Sequence, residues 1–402
     1  MILIERLPAV AVDDLRMEFV ERKGLGHPDY IIDLACEAVS RSLSNYYLEK
    51  YGLILHHNVD KGLLIGGKAN PQFGGGVVEE PIEIIVAGRA TNRIGNEEIP
   101  VADLSYKAIR QVLQDSYRFL DVDRHVNILV KLRPGSVDLT RLFHKQAEAP
   151  PANDTSFGVG FAPFSRAERL ALAIEKYMNS KRYKRIFPFV GEDIKVMVLR
   201  GGDIFDVTIA AAFVDRFFRT PSEYISAKEE VLESIKDHIA ALELNNKVEK
   251  INLMLNTADD YEKNIYYITV TGLSAEAGDD GNTGRGNRIS GLITPNRHMS
   301  MEATAGKNPV SHVGKIYNVL ARKISFRIYD EVGGIDEVYV KILSQIGKPI
   351  NKPQAVHIQY ISDLSDTGHI ESKIKKIVEE EFTVDNFKQL TMEILEGKHT
   401  LF

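Results

Sequence analysis

Apolar positions along this chain follow two spacings, and the spacing in each stretch predicts a helix or a strand. Repeats of three to four residues predict helices over 28–50, 102–119, 166–180, 221–244, 312–325, 370–381 and 384–396. Alternating or continuously apolar runs predict strands over 53–59, 63–65, 82–87, 126–132, 194–199, 204–214, 251–255, 265–271, 336–344 and 355–361. The chain is therefore expected to combine helices with sheets.

The order helix, strand, strand, helix occurs three times without repetition of the sequence itself. We therefore predict an α/β fold of the α+β type, with three structurally related α/β subdomains whose mixed sheets are covered by helices on one face. The predicted subdomains are 1–148, 149–275 and 276–402, and we expect them to interleave. Two polar, glycine-rich segments, 149–165 and 272–311, do not fit this scheme and are predicted to be functional loops.

Composition narrows the class of protein. A hydrophobic content of 44% with 26% charged residues is typical of a globular protein, and the net charge of −6 gives no support to a nucleic-acid partner. No apolar run reaches membrane-spanning length and nothing resembles a signal peptide, so we expect a cytoplasmic protein without a membrane partner. The single cysteine, Cys36, excludes an intramolecular disulfide and is expected in the core.

The segment 26–29, Gly-His-Pro-Asp, begins the first predicted helix. Proline suits the first helical position, and Asp29 then lies in the first turn, where the helix dipole favours a negative charge. Asp33 and Glu37 follow at intervals of four, so the three carboxylates form one stripe. With His27 and nearby cations, this helix start is suited to a polyphosphate and its metal ion. The alternative is a helix cap with solvated charges.

The strongest chemical signal is the glycine-rich loop 278–288, which follows directly on a strand. Its four glycines allow close backbone approach to a ligand, and its two arginines, Arg285 and Arg288, suit phosphate oxygens. Asp279 is suited to Mg²⁺ or to an ammonium group. Farther along, Arg297 and a Gly-Lys-Asn-Pro turn with Lys307 add two more cations. The alternative is a flexible, solvated turn.

Three further segments carry polar residues that suit a nucleotide, although each is weak in isolation. Residues 153–163 set small polar groups beside two phenylalanines, which suits a purine or ribose pocket. Lys195 lies in a buried-looking strand, where it must pair with an anion or reach solvent. The turn 133–138 ends another strand. The candidate ATP contacts from these segments are Gly135, Ser136, Asp138, Asp154, Phe157 and Asp193.

Together and in this order, these segments resemble the S-adenosylmethionine synthetase (methionine adenosyltransferase) family of archaeal type, over essentially the whole chain. The most specific matches are 21–29, 153–160, 278–288 and 306–309. The resemblance implies pseudo-threefold symmetry and a homodimer, alone or paired into a tetramer, with active sites at the subunit interface. It implies that ATP, L-methionine and water give S-adenosyl-L-methionine, diphosphate and phosphate, with Mg²⁺ required and K⁺ assisting.

The chemistry implied by the resemblance needs no general base, because a thioether is an uncharged nucleophile. Sulfur attacks C5′ of ATP in line, so catalysis must come from positioning and from cations directed at the leaving triphosphate. Motif matching leaves open whether Arg285 or Arg288 supplies the second cation, and it does not place the second Mg²⁺ ligand. The implied roles are catalysis for His27, Lys195, Arg285 and Lys307, ATP binding for Arg288, methionine binding for Asp279, and metal binding for Asp29 (Mg²⁺) and Asp60 (K⁺).

Two other functions compete with this interpretation. An ATP-dependent kinase or ligase would release ADP or AMP, and a nucleotide-sensing module without turnover would bind ATP and leave it intact. A synthetase would split ATP in a methionine-dependent way and place the adenosyl group on sulfur. Product identity therefore separates the three hypotheses.

Overall fold

A computed structural model describes residues 1–135, 149–242, 248–364 and 368–402. The candidate ATP contacts Ser136 and Asp138 lie outside these residues. The helices are α1 (Pro28–Tyr51), α2 (Val101–Ser116), α3 (Val122–His125), α4 (Arg166–Met178), α5 (Lys181–Ile186), α6 (Pro221–Ala240), α7 (Val313–Glu331), α8 (Gly368–Glu381) and α9 (Val384–Leu395).

The strands follow the same chain order. They are β1 (Ile2–Arg6), β2 (Met17–Lys23), β3 (His57–Ile65), β4 (Lys68–Asn70), β5 (Val77–Glu80), β6 (Ile82–Ala90), β7 (Arg93–Ile94), β8 (Glu97–Glu98), β9 (Val126–Arg133), β10 (Phe157–Ala162), β11 (Val190–Gly201), β12 (Ile204–Val214), β13 (Lys250–Leu255), β14 (Ile268–Thr269), β15 (Gly281–Asn282), β16 (Glu337–Leu343) and β17 (Ala355–Ile361).

Three mixed sheets in the described part of the chain share one arrangement of strands. Sheet A has the order β10-β16-β17-β1, sheet B the order β2-β11-β12-β13, and sheet C the order β15-β3-β6-β9. In each order the first two neighbouring pairs are antiparallel and the last pair is parallel. The α/β class with three mixed sheets is confirmed.

Strand pairing crosses the sequential ranges 1–148, 149–275 and 276–402. Strand β1 is the parallel edge of sheet A, next to β17, while β2 is the antiparallel edge of sheet B, next to β11. Neither strand was predicted from the sequence. In β2 the reason is physical, because the core-facing positions include Glu18 and Arg22, which are buried as ion pairs and hide the alternation of apolar residues.

In the described part of the chain, each sheet packs one face against helices, and none of the helices packs on its other face. Helices α1 and α2 pack with sheet C, α4 and α6 with sheet B, and α7 with sheet A, joined by α8. Each pairing encloses its own apolar core. Cys36 lies fully buried in the core of sheet C, as predicted. Among the described residues, none of the helices has the length and apolarity needed to cross a membrane.

The prediction of a loop over 149–165 is wrong for its second half. Phe157–Ala162 form a strand in sheet A, paired antiparallel with β16. The glycines serve packing there, because a Cβ atom on Gly158 would lie 2.2 Å from the carbonyl carbon of Tyr317 in α7. Gly160 approaches the same helix in the same way. The segment therefore reads as glycine-rich because a helix crosses close above the strand.

Candidate functional site

Three carboxylates on α1 hold the distant glycine-rich loops in place. The stripe predicted from their four-residue spacing is present, and each carboxylate accepts a hydrogen bond from a backbone N–H roughly 250 to 270 positions later in the chain. The donors are the N–H groups of Asn282 to Asp29 (2.8 Å), of Gly284 to Asp33 (3.0 Å) and of Gly306 to Glu37 (2.9 Å).

The two inner carboxylates of this stripe are buried. Glu37 also accepts hydrogen bonds from Lys315 Nζ at 2.7 and 2.9 Å, and burial lowers the pKa of that lysine while Glu37 opposes the shift. Burial raises the pKa of Asp33 to about 7, against the stabilising N–H of Gly284. Asp33 and Glu37 therefore hold the two glycine-rich loops in place, and Asp29 is the carboxylate in the first turn of the helix.

His27 caps α1 and has a defined tautomer. Its Nδ1 accepts a hydrogen bond from the backbone N–H of Asp29 at 3.1 Å, so the proton of a neutral ring is on Nε2. Burial, followed by the positive charge of Lys23, lowers the pKa of His27 to about 4. The ring is consequently neutral at pH 7 and presents an N–H donor.

Two ammonium groups lie beside the helix start on neighbouring strands. Lys23 Nζ is 2.7 Å from Asp29 Oδ2 and 3.2 Å from the carbonyl oxygen of Arg285. Lys195 is the register partner of Lys23 across sheet B and pairs with Glu21 at 3.0 Å. Its side chain is also 40% exposed, so both alternatives predicted from the sequence, pairing with an anion and reaching solvent, are met. Lys23 received no role from the sequence, although it lies inside the segment 21–29.

A serine joins two carboxylates next to these cations. Asp193 Oδ2 accepts hydrogen bonds from the backbone N–H of Ser274, at 2.9 Å, and from its hydroxyl. The same hydroxyl lies 3.0 Å from Asp279 Oδ2. Burial raises the pKa of Asp193 to about 6, against both Ser274 hydrogen bonds. No motif in the sequence pointed to Ser274, because its role arises only when strand β11 meets the segment before the loop.

The two arginines of loop 278–288 have different environments. The Arg288 guanidinium donates to the carbonyl oxygens of Gly284 and Gly286, the latter at 2.8 Å, and so closes the loop on itself. Arg285 is exposed, and its hydrogen bonds within the described residues are made by its backbone, whose N–H donates to the Asn282 carbonyl and whose carbonyl accepts from Lys23. The arrangement leaves the Arg285 side chain available to a ligand.

A second group of predicted residues lies around Lys307. Its ammonium pairs with Glu302 and lies 3.5 Å from Asp60 Oδ2. Asp60 also pairs with Lys61, and Glu302 accepts a hydrogen bond from the Ser156 hydroxyl at 3.3 Å. Lys307 is itself buried. Sequence reasoning missed Glu302, which stands in a loop five residues before the lysine and carries no motif.

The remaining candidate contacts lie near this second group. Gly135 approaches His56 so closely that an added Cβ would lie 2.8 Å from Nδ1. The carbonyl of Phe157 accepts a hydrogen bond from Ser300 at 3.2 Å, two residues before Glu302, and the Phe157 side chain is 47% exposed. Asp154 is exposed just before the strand. We call the residues around the start of α1 the His27 group and those around Lys307 the Lys307 group. The His27 group comprises His27, Asp29, Lys195, Arg285, Asp193 and Asp279, and the Lys307 group comprises Lys307, Asp60 and Phe157.

The expectation that Arg297 adds a cation to the loop is wrong. Its guanidinium is buried against Glu168 at 2.8 Å and Glu337 at 2.5 Å, and it lies over the Phe161 ring. These partners neutralise the charge and bind the loop to α4 and β16. The residue therefore has a structural role.

Asp29 is the carboxylate best suited to a metal ion. Each of its oxygens accepts one hydrogen bond, from Asn282 and from Lys23, which leaves further lone pairs for a cation. No group of three or more His, Cys, Asp or Glu side chains that could hold a metal ion occurs in the described parts of the chain. Mg²⁺ commonly uses one or two carboxylates with substrate phosphates and water, so the donor set fits it.

Fold and site together define a class of protein: a three-sheet α/β protein with a capped helix start, glycine-rich turns and cations suited to a polyphosphate. Comparison with known proteins identifies the family. The sequence matches S-adenosylmethionine synthetase (AdoMet synthetase) over residues 1–398. The chain therefore belongs to the S-adenosylmethionine synthetase family.

Two relatives match along nearly their whole length. The S-adenosylmethionine synthase of Pyrococcus furiosus is 50% identical over 408 residues, which cover 100% of this chain and 99% of the relative. That of Thermococcus onnurineus is 51% identical over 405 residues, with 100% and 98% covered. Both are enzymes of the archaeal type that the motifs resemble.

A solved structure supports the fold. An S-adenosylmethionine synthetase from Campylobacter jejuni, described as unusual, aligns with a TM-score of 0.59 over 94% of this chain and 93% of its own. Its sequence identity is 14%, so the likeness concerns the arrangement of the elements alone.

Proposed function

We propose that this chain is a methionine adenosyltransferase that converts ATP, L-methionine and water into S-adenosyl-L-methionine, diphosphate and phosphate. The observation that carries the proposal is the start of α1, where a neutral histidine and the Lys23 ammonium lie at the Asp29 carboxylate, with Lys195 beside Lys23 on the neighbouring strand and the exposed Arg285 in the adjoining loop. These groups suit a reaction in which negative charge develops on a departing polyphosphate, because donors and cations stabilise that charge. Membership of the family supplies the substrates.

The His27 ring acts on the leaving group as a hydrogen-bond donor. The methionine sulfur attacks C5′ of ATP in line, the C5′–O bond breaks, and the electron pair leaves with the triphosphate. Because Nδ1 is occupied by the Asp29 N–H, the Nε2–H is the group free to meet the departing oxygen. A neutral donor suits this place, since it stabilises the growing charge without taking part in proton transfer.

The cations divide the remaining work. Lys195, Arg285 and Lys307 bind phosphate oxygens during transfer and then during hydrolysis of the retained triphosphate. We assign the second arginine, Arg288, to shaping the loop, because its guanidinium donates to loop carbonyls. Asp279 meets the methionine ammonium group, next to Ser274 and Asp193.

The adenosine is proposed to lie at the Lys307 group, against Gly135, Asp154 and Phe157. The exposed Phe157 ring offers a face for the base. Asp193 contributes on the other side, through the serine that it shares with the methionine aspartate.

Mg²⁺ would be held by Asp29 together with phosphate oxygens, and when bound it supplies positive charge that neutralises the triphosphate. The fit of Asp60 to K⁺ is poor, since its carboxylate already pairs with Lys61 and lies 3.5 Å from Lys307.

We further propose a homodimer whose active sites lie between the subunits. The strand face of sheet B that carries Lys23 and Lys195 is the face without helices. On the same face Met17, Phe19 and Met197 are exposed, at 53%, 46% and 37%. A contiguous apolar patch beside charged groups is typical of an interface, so a second copy would complete the site while it covers the patch.

Product analysis tests the function. The protein is incubated with ATP, methionine, Mg²⁺ and K⁺, and products are identified by mass spectrometry. We expect a sulfonium product together with diphosphate and phosphate in equal amounts, and no consumption of ATP without methionine. Accumulation of ADP or AMP would replace the proposal by a kinase or ligase, and intact ATP would replace it by a sensor.

A further inference from the structure

A cavity of about 330 Å³ lies on the helix-covered side of sheet B, away from the proposed substrate groups. It is enclosed by α1, α4 and α7, by the turn at Ser290 and Gly291, and by the last residues of the chain, 394–402. Arg22 lines it, and the alternation of β2 puts Arg22 on the opposite face from Lys23. The cavity and the candidate active site therefore share a strand but not a surface.

Four cations line this cavity, and three of them lack an acidic partner. Arg22 is neutralised by Glu175 at 3.1 Å. For Arg41, Lys176 and Arg322, the described part of the chain provides no carboxylate within ion-pair distance; Arg41 donates only to the carbonyl oxygen of Leu395.

The acidic residue in the wall does not balance these charges. Glu37 lines the cavity, but its carboxylate is bound by Lys315 and by the N–H of Gly306. In the described part of the chain, Arg41, Lys176 and Arg322 therefore line the cavity without an ion-pair partner.

Among these three cations, Arg322 gives the strongest indication that an anion is missing. Its Nε is buried and has no hydrogen-bond partner among the described residues, and its guanidinium lies 5.4 Å from the centre of the Phe326 ring. Burial alone lowers its pKa, with no acidic group acting in the other direction. Arg322 is half-buried as a residue, and its buried Nε without a partner is costly, so a group with the opposite charge would complete this place.

The walls between the cations are apolar. Phe164, Leu172 and Leu401 line the cavity next to the charged groups. Its volume lies at the lower end of the range for small-molecule pockets, which combine apolar walls with a few polar groups. A bare inorganic anion would leave these walls in contact with water, whereas an organic anion would cover them.

We propose that this cavity is a second binding site, separate from the active site, for a small organic anion with a compact phosphate or carboxylate head and an apolar body. The head pairs with Arg322 and Arg41, and the body packs against Phe164 and Leu172. Arg22 connects the site to the glycine-rich segment 272–311, because its Nη1 donates to the carbonyl of Gly291 at 2.7 Å.

Calorimetric titration with phenyl phosphate tests the proposal. We expect saturable binding to the intact protein and at least about tenfold weaker binding to Arg322→Met and to Arg41→Met, because each variant removes a charged partner but keeps an apolar stem. Arg182→Met, at an exposed position on α5, is the matched control and should bind as the wild type does. Arg285→Ala should also bind normally, because that arginine belongs to the other site.

The outcomes separate this site from the active site. Phenol and inorganic phosphate should each bind more weakly than phenyl phosphate. Circular dichroism should show that Arg322→Met and Arg41→Met are folded. Wild-type affinity in both folded variants, or an absence of saturable binding at millimolar concentrations, would overturn the proposal. So would a loss of binding in Arg285→Ala alone, since phenyl phosphate would then occupy the catalytic cations.

Discussion

At the scale of single residues, the tautomer of His27 decides how the site can act. The ring accepts at Nδ1 from the helix it caps, so its only donor points elsewhere and carries no charge at pH 7. A histidine held this way stabilises charge on a leaving oxygen and is poorly placed to remove a proton. In the proposed mechanism, one side chain therefore both caps a helix and stabilises the leaving group.

Replacement of this ring separates its two roles. In His27→Asn, the amide oxygen can still cap the helix, while the Nε2–H donor is lost. We expect kcat to fall by about 10²-fold or more, with a thermal stability close to that of the wild type. Steady-state kinetics and a melting curve are the measurements. A variant with nearly normal kcat would show that His27 is only a cap.

Protonation of Asp33 predicts a dependence of stability on pH. Its pKa is raised from 3.8 to about 7, so the folded chain binds this proton more tightly than the unfolded chain. The contribution to stability is complete below about pH 4 and is lost as the pH rises through 7. Asp33→Asn removes the titration.

We therefore expect the melting temperature of Asp33→Asn, relative to that of the wild type, to increase from pH 5 to pH 8. Differential scanning calorimetry at several pH values measures this difference. A difference that stays constant, or that falls with rising pH, would contradict the assigned protonation.

The sequence alone identified the candidate site residues that belong to one short segment of the chain. His27 and Asp29 belong to one short motif at a helix start, and Arg285 lies in one loop, so composition and spacing identify them. Ser274 and Glu302 could not be found in this way, because Ser274 contacts Asp193, which is distant in the sequence, and Glu302 lies in a loop without a pattern.

At the scale of elements, backbone proximity explains what the hydrophobic pattern missed. Strand β10 contains glycines where a strand normally has large residues, because α7 passes close above it. Strand β2 has charged residues at core positions, and its Glu18 is matched by Arg200 across the strand pair at 3.0 Å. Both features depend on a neighbouring element. Neither the two-residue hydrophobic period nor the strand propensity of the residues could therefore reveal β10 and β2.

Gly158→Ala tests the close approach of β10 and α7. The added Cβ would lie 2.2 Å from a backbone atom of Tyr317, so the helix must shift, and we expect a loss of about 1–3 kcal/mol in the free energy of unfolding. Denaturant unfolding measures it. Gly333→Ala is the control, because open space surrounds that position. Equal stability of the two variants would contradict the packing.

At the scale of the whole molecule, three sheets share one strand order. In the described part of the chain, each of these sheets has one face on which no helix packs. The interleaving of β1 and β2 ties the sheets together, since the first residues of the chain complete sheets A and B. Exposed apolar residues on the free face of sheet B then require an explanation, and a second subunit supplies it.

Phe19→Glu combined with Met197→Glu tests this interface. The two introduced carboxylates would be buried at the dimer contact without a partner. We therefore expect light scattering to show a mainly monomeric protein. We also expect at least about a tenfold loss of activity, the scale of a disrupted interface hot spot. Met392→Glu introduces the same charge at an exposed site on α9 and should leave the dimer intact. A stable double-variant dimer would place the interface elsewhere.

Complementation between two inactive variants tests most directly whether the His27 group of one subunit works with the Lys307 group of the other. His27→Asn and Lys307→Ala are co-expressed with different tags, and the doubly tagged dimers are assayed for S-adenosylmethionine formation. The doubly tagged dimers should have about half of the wild-type activity per subunit, because each of them holds one intact site of two. Mixed dimers as inactive as the two parent proteins would show that each active site is built within a single chain.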